Sequence, residues 1–281
     1  MRRLAAYLRV RNSCFGYRSD SRFMQRARLR PAIQQYEVDH EKRASAFSFA
    51  ISTKEPLTMR SKPRAFIFDI DGTLVDSNEL HVDSWNRSFR QFGKQFPREA
   101  LRAQIGKGSD QYLPEFLTPE EIKRFGKKLD QYRSQLFRKE YLPRVRPFPK
   151  VRELFQRIRD EDKRIVLASS GKEEDTKYYI EDLLKIDDLI EGYTCADDAD
   201  RSKPAPDIFT AALDKLGEMS PSDAITVGDT RFDIEAAAKA GVATIGLLCG
   251  GTTENVLRET GAIAIYRDSA DMLANYDRLI A

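Results

Sequence analysis

Asp69 and Asp71 stand two residues apart at the end of the apolar run Ala65-Phe66-Ile67-Phe68, and Gly72-Thr73-Leu74-Val75-Asp76 follows them. In an extended chain, side chains two apart share a face, so both carboxylates converge on one small volume. Carboxylates that close repel each other unless a cation or a proton intervenes. The pair therefore calls for a hard divalent cation, for one ionised and one protonated carboxyl, or for both together. The exit of a buried strand is also where an α/β sheet presents its ligand site.

Three further polar clusters occur along the chain, two of them directly after an apolar run. Ser169 and Ser170 come after Ile165-Val166-Leu167-Ala168, and Gly228-Asp229-Thr230-Arg231-Phe232-Asp233 comes after Ala224-Ile225-Thr226-Val227. Asp229 and Asp233, four apart, can share one face at the start of a helix. Between these clusters, Ser202-Lys203-Pro204-Ala205-Pro206-Asp207 fixes a lysine in a proline-restrained loop. Gathered on one edge of a sheet, the clusters would set carboxylates, one ammonium and two hydroxyls around one volume. Oxygen ligands suit a hard cation such as Mg²⁺, while lysine and backbone N–H groups suit phosphoryl oxygens, which points to a phosphate ester. In that chemistry an ionised Asp69 attacks phosphorus in line with the departing oxygen and becomes an aspartyl phosphate. Asp71 begins protonated, gives its proton to the leaving alcohol, and then takes one from the hydrolytic water. Gly72 lets the turn approach closely, and the amides of Asp71-Gly72-Thr73 would bind developing charge.

The elements that must position these residues follow from hydrophobic periodicity. From Arg64 onward, short β-branched and aromatic runs alternate with amphipathic stretches, the pattern of an α/β protein with a parallel sheet and helices on its faces. Strands are expected at 65–69, 164–168, 190–194, 224–228, 242–247 and 262–266. Between the first two lies an insertion over 77–148 with no convincing strand, expected as helices over 80–92, 100–105 and 119–139. Residues 59–76 and 149–281 are then the core, and 77–148 an all-helical cap placed to act as a lid. Gly106-Lys107-Gly108 neither follows a strand nor opens a GxGxxG, so it reads as a cap loop reaching the substrate through Lys107. His81 and Trp85, four apart, face the cleft or pack the cap against the core. Arg87, Lys94, Ser109 and Asp110 add charge and hydrogen bonding suited to a small polar ligand.

With 281 residues, 41% of them hydrophobic, the chain can bury a substantial core. The formal charge of +3 is unevenly spread: residues 1–58 carry 12 basic and 5 acidic side chains, so the remainder is net acidic. The basic groups of the remainder are not clustered, which argues against nucleic acid as a partner. No apolar run approaches the roughly 20 residues of a membrane span. Three scattered cysteines, Cys14, Cys195 and Cys249, draw neither a disulfide framework nor a zinc site and fit a reducing compartment. Residues 1–58 are expected to be a disordered or untranslated extension, with Met59 the natural start; the alternative is an organellar transit segment in place of a cytoplasmic location.

The motifs, in this order, resemble those of the haloacid dehalogenase-like hydrolases, in the branch with a helical cap, and the resemblance covers roughly residues 64–270. The carriers are Asp69-Ile70-Asp71-Gly72-Thr73, Ser169, Lys203 and the Gly228–Asp233 segment. The resemblance implies a Rossmann-like core with the cap inserted after the first motif. It implies Asp69 as nucleophile, Asp71 as acid and base, and Lys203 steadying both Asp69 and the phosphate. It also implies that Ser169, Ser170, Gly72, Thr73, His81 and Lys107 contact the phosphorylated substrate. Mg²⁺ would be held by Asp69, Asp71 and Asp229, with Asp233 behind them. The second acid and the GDxxxD form of Gly228–Asp233 fit a phosphatase of a small phosphomonoester, phosphoglycolate or a sugar phosphate among them. A β-phosphoglucomutase-like mutase and a silent phospholigand-binding regulator are the alternatives.

Overall fold

The computed structural model describes residues 62–279. The expectations for residues 1–58 lie outside the described residues.

Six strands form one parallel sheet: β1 (Ala65–Phe68), β4 (Arg164–Ala168), β5 (Gly192–Thr194), β6 (Ala224–Gly228), β7 (Ala243–Leu247) and β8 (Ala264–Tyr266). Two short strands, β2 (Val75–Asp76) and β3 (Arg146–Pro147), pair separately and antiparallel. The large sheet runs in the order β5-β4-β1-β6-β7-β8. β1 thus lies between β4 and β6, where the order of the chain across the sheet reverses. Ligands of open α/β sheets bind outside the carboxyl ends of strands at such a point.

Alternation along β1 divides the core. Phe66 and Phe68 face one side with Ile165, Leu167, Ile225 and Val227, and Ala65 and Ile67 face the other with Val166 and Ala168. The first side is covered by helix Val151–Arg159 through Val151, Leu154, Phe155 and Ile158, which recur every three or four residues. The second is covered by helices Asp207–Lys215 and Arg231–Lys239 through Ile208, Phe209, Ala212, Ala236 and Ala237. Burying one phenylalanine side chain contributes roughly 2 kcal/mol, so this two-sided packing holds the strand ends where the polar clusters begin.

The segment between β2 and β3 is helical. Its first helix, α1 (Asn78–Gln91), starts two residues earlier than expected, and Arg98–Arg102 and Ser109–Tyr112 follow. A further helical run begins at Pro119, where a capping box joins Thr118 and Glu121. It continues as α2 (Lys127–Leu136) between two π-helical turns, Ile122–Gly126 and Phe137–Tyr141. Trp85, Phe89, Phe96, Tyr112 and Phe116 form its aromatic core, with Trp85 stacked on Tyr112 at 4.4 Å. One expectation was incomplete, because β3 lies inside the stretch read as free of strands. Its two residues, one of them proline, are too short for a periodic signal, and it exists by pairing with β2 where the chain leaves the sheet.

Candidate active site

The register of the sheet sets the positions of the acidic groups. Phe68 pairs with Leu167 and with Val227, so Asp69 emerges level with Ala168 and Gly228. Its amide donates to the Val227 carbonyl at 2.9 Å, which carries the extended backbone one residue past β1. The chain then turns sharply at Gly72, with φ +81°. A Cβ there would lie 2.3 Å from Asn78 Nδ2 and 2.4 Å from Asp229 Oδ2, so glycine is demanded twice, by conformation and by space. A Cβ on Gly250, in the loop after β7, would lie 1.6 Å from Asp229 Oδ2, closer still.

The polar partners of Asp69 are donors and acids. Lys203 Nζ donates to Asp69 Oδ1 at 2.5 Å and to the Ala168 carbonyl at 3.0 Å, and pairs with Asp233 Oδ1 at 2.8 Å. Two hydrogen bonds and this ion pair enclose the ammonium, and the side chain is 1% exposed. The Thr73 hydroxyl lies 3.0 Å from Asp69 Oδ2 and 3.2 Å from Asp229 Oδ1, and its single proton serves one at a time. Asn78 Nδ2 donates to Asp229 Oδ2 and to the Gly250 carbonyl, each at 2.8 Å. Asp233 accepts from the Thr230 amide and hydroxyl, closing a capping box that starts helix Arg231–Lys239.

Asp69, Asp229 and Asp233 each offer one oxygen within 4.8 Å of the others. Three buried carboxylates share one ammonium, and the surplus negative charge shows in their acidities. Burial, opposed by Lys203 and reinforced by Asp233 and Asp71, lifts Asp69 to about 7. Burial and the charges of Asp233 and Asp69 push Asp229 well above the carboxylate range. Burial works against the charge of Lys203, yet Asp233 and Asp69 outweigh it and raise the ammonium. A set of hard oxygen donors short of positive charge fits a hard divalent cation. Of the expected ligands Asp69, Asp71 and Asp229, two lie in this trio. The carboxylate of Asp71 is outside this trio, and that of Asp233 is in it.

Asp71 faces a different environment. Its Oδ1 accepts from Ser77 Oγ at 2.6 Å and meets His81 Nε2 at 2.9 Å. His81 stacks on Phe137 at 4.2 Å, and its Nδ1 is hydrogen-bonded by Arg133. A guanidinium can only donate, so Nδ1 accepts and the Nε2 proton points at Asp71. Burial pushes Asp71 up, but His81, Ser77 and Arg133 together hold it down at about 2. Donors crowd this carboxylate, which favours its ionised form in the free protein.

A cavity of about 270 Å³ opens above Asp69 and Asp71. His81, Trp85 and Arg133 form its wall on the helical side, and Ser170, Lys172 and Asp197 on the sheet side. The loop 105–110 roofs it, docked by Gly108 N–H to Ser202 Oγ at 2.9 Å and by Ser202 N–H to Asp110 Oδ2 at 3.0 Å. The Ser170 hydroxyl is buried without a partner in this wall. Ser169 lies behind it, where its Oγ accepts the Gly171 amide at 2.9 Å and still has its own proton to give.

Lys107 borders the cavity, but its ammonium pairs with Glu115 at 3.0 Å and sits over the Phe232 ring at 4.8 Å. Arg87 pairs with Glu140 and Lys94 with Glu121, both away from the cavity. Arg133 and Lys172 line the cavity and Asn78 holds Asp229, and sequence reasoning picked out none of the three. Asn78 alone had a signal, since it follows the acidic loop by two residues at the start of α1.

The family model for haloacid dehalogenase-like hydrolases matches residues 66–247. A phosphorylated carbohydrates phosphatase of Thermotoga maritima is 26% identical over 212 residues, covering 72% of this chain and 94% of that protein. A phosphoglycolate phosphatase of Aquifex aeolicus is 27% identical over 195 residues, covering 66% and 85%. A crystal structure of a hydrolase from Pseudomonas syringae superposes with a TM-score of 0.69 at 28% identity, over 77% of this chain and 99% of that one. Sheet order, acidic turn and matched span agree, and the chain belongs to the haloacid dehalogenase-like hydrolase family of enzymes.

Proposed function

We propose that the chain is a Mg²⁺-dependent phosphatase of small phosphomonoesters, working through an aspartyl phosphate on Asp69. The observation that carries this reading is the pairing of Asp69 with Lys203 while Asp71, two residues on, stands apart under its own donors. Lys203 favours the charged form of Asp69 against the burial that raises it, and Asp71 is left to exchange a proton with the leaving group. Asp69, Asp229 and Asp233 would hold the cation, which would screen the phosphoryl oxygens and let Asp69 stay ionised beside them.

The chain's own groups account for the remaining steps. Lys203 fixes Asp69 Oδ1, and the Ser169 and Ser170 hydroxyls would donate to the phosphoryl oxygens, since the Gly72 and Thr73 amides are taken by the Val75 and Ile70 carbonyls at 2.9 and 3.2 Å. Asp71 is ionised in the free enzyme, and an entering phosphate dianion raises its pKa by like-charge repulsion. It therefore takes up its proton with the substrate, passes it to the departing alkoxide, and is left ionised to draw a proton from water. Since Ser77 and His81 both occupy Oδ1, the transferable proton belongs on Oδ2. The helical segment acts as a cap, and its docking through Gly108, Ser202 and Asp110 excludes water during transfer.

Phosphate release from a generic aryl phosphate, with and without Mg²⁺, tests the reading. Metal-dependent release that Asp69→Asn abolishes is expected, and release that survives Asp69→Asn overturns it. The His81 contact with Asp71 favours a second reading, a sugar-phosphate mutase. Incubation with a hexose 1-phosphate separates the two: the phosphatase liberates phosphate, whereas the mutase yields the 6-phosphate faster.

A further inference from the structure

Arg133 is the cavity-lining guanidinium that no step above requires. It projects from α2 and touches the rings of Trp85 and Phe137, each 5.0 Å from its Cζ. Its Nε donates to Ser84 Oγ at 3.3 Å, and one Nη2 hydrogen goes to His81 Nδ1. These partners are all neutral groups. Among the described residues no carboxylate forms an ion pair with Arg133, whereas Arg87, Arg98, Arg102 and Arg138 of the helical segment each have one. Its immersion is deep enough to pull its pKa down, with Asp130 and Asp71 acting the other way from beyond ion-pair distance. A guanidinium so placed has lost water without gaining a counter-ion, which aromatic faces offset only in part. Its remaining N–H donors adjoin the cavity.

We infer that Arg133 binds a second anionic group of the substrate, a carboxylate or a second phosphate on the leaving alcohol, and so sets the substrate class. The inference rests on the phosphatase reading for its leaving group. Arg133 is separated from Asp71 by one imidazole ring and two hydrogen bonds, about 7 Å. When the alcohol oxygen meets Asp71, a charged group a few atoms further along the same molecule reaches the guanidinium. The planar fork matches a carboxylate or phosphate with two parallel hydrogen bonds. The small volume of the cavity, about 270 Å³, limits the spacer to a short chain.

The test compares esters that differ in tail charge: 2-phosphoglycolate against ethyl phosphate, and 3-phosphoglycerate against glycerol 3-phosphate. The readout is the ratio of kcat/KM for the charged member to that for the neutral one. In the wild-type enzyme the ratio should be tenfold or more, arising in KM. Arg133→Met should lower it at least tenfold, and Arg133→Lys should restore part of it. Arg133→Gln is read in the same way should Arg133→Met not fold. A wild-type ratio near one overturns the inference, as does a ratio unchanged in the variant while both esters slow alike, since that marks a purely structural role or one exerted through His81. Calorimetry in the Asp69→Asn background separates this inference from the reading beneath it. If no ester is hydrolysed, the phosphatase reading fails, and tighter binding of phosphoglycolate than of ethyl phosphate, lost on Arg133→Met, still sustains the anion site. Equal binding of the two ligands removes it.

Discussion

At the residue scale, the account turns on how few positive charges serve the buried acids. Lys203 is enclosed by Asp69, Asp233 and the Ala168 carbonyl. Lys203→Met leaves two carboxylates facing each other without a cation, and removing one partner of a buried pair costs about 3–5 kcal/mol. The loss should appear in denaturant titrations at pH 8 and shrink at pH 5, where the acids accept protons. The wild-type protein without metal should show a weaker form of the same dependence. Asp69 is raised to about 7 from 3.8, so the folded state binds its proton more tightly than the unfolded state. The contribution is therefore fully present below pH 4 and is lost as pH rises through 7, on the order of a few kcal/mol. Melting curves at pH 5.5 and 8 should show the decline from this group, Asp69→Asn should flatten it, and added Mg²⁺ should raise the pH 8 curve the more.

The residues that sequence reasoning missed or misplaced share a cause. Asp69, Asp71, Lys203, Asp229 and Asp233 were legible because each follows an apolar run or a proline-bounded turn, so a local signal fixes its place. Arg133 is one of many charged residues in a helical stretch, and its importance comes from Trp85, His81 and Phe137, four to 52 residues away. Lys107 was legible through its loop, but its partners were not. Its loop reaches the cavity as expected, but Glu115 and Phe232 engage the charge, and neither partner is visible from the loop itself.

At the element scale, the acidic turn and the roof loop are the pieces whose shapes the chemistry depends on. The six main strands were legible to within two residues at their ends, because buried parallel strands read as short apolar runs. The β2–β3 ribbon was not, since two-residue strands carry no period. Gly72→Ala should abolish activity while leaving the sheet intact, because a Cβ at φ +81° meets both Asn78 and Asp229. Far-ultraviolet circular dichroism beside a turnover assay checks this, and an active variant would mean that the turn is not as tight as the structure has it. Ser202→Ala removes the acceptor for the Gly108 amide and unseats the roof. Its expected effect is a severalfold rise in KM with a smaller fall in kcat, measured with any ester the enzyme turns over.

At the scale of the whole molecule, the sheet and the helical segment divide the work. The carboxyl ends of the strands gather the acids and Lys203, and the helices supply His81, Trp85 and Arg133 to the cavity wall above them. Among the described residues no helix is long and apolar enough to cross a membrane. The central claim is that phosphoryl passes through Asp69. The most direct measurement is an acid quench during steady turnover with Mg²⁺, followed by digestion and mass spectrometry of the peptide containing Asp69. The account predicts one added phosphoryl group on Asp69, absent without substrate and absent in Asp69→Asn. Phosphate released at full rate with Asp69 unmodified, or a phosphoryl group on another residue, would contradict it.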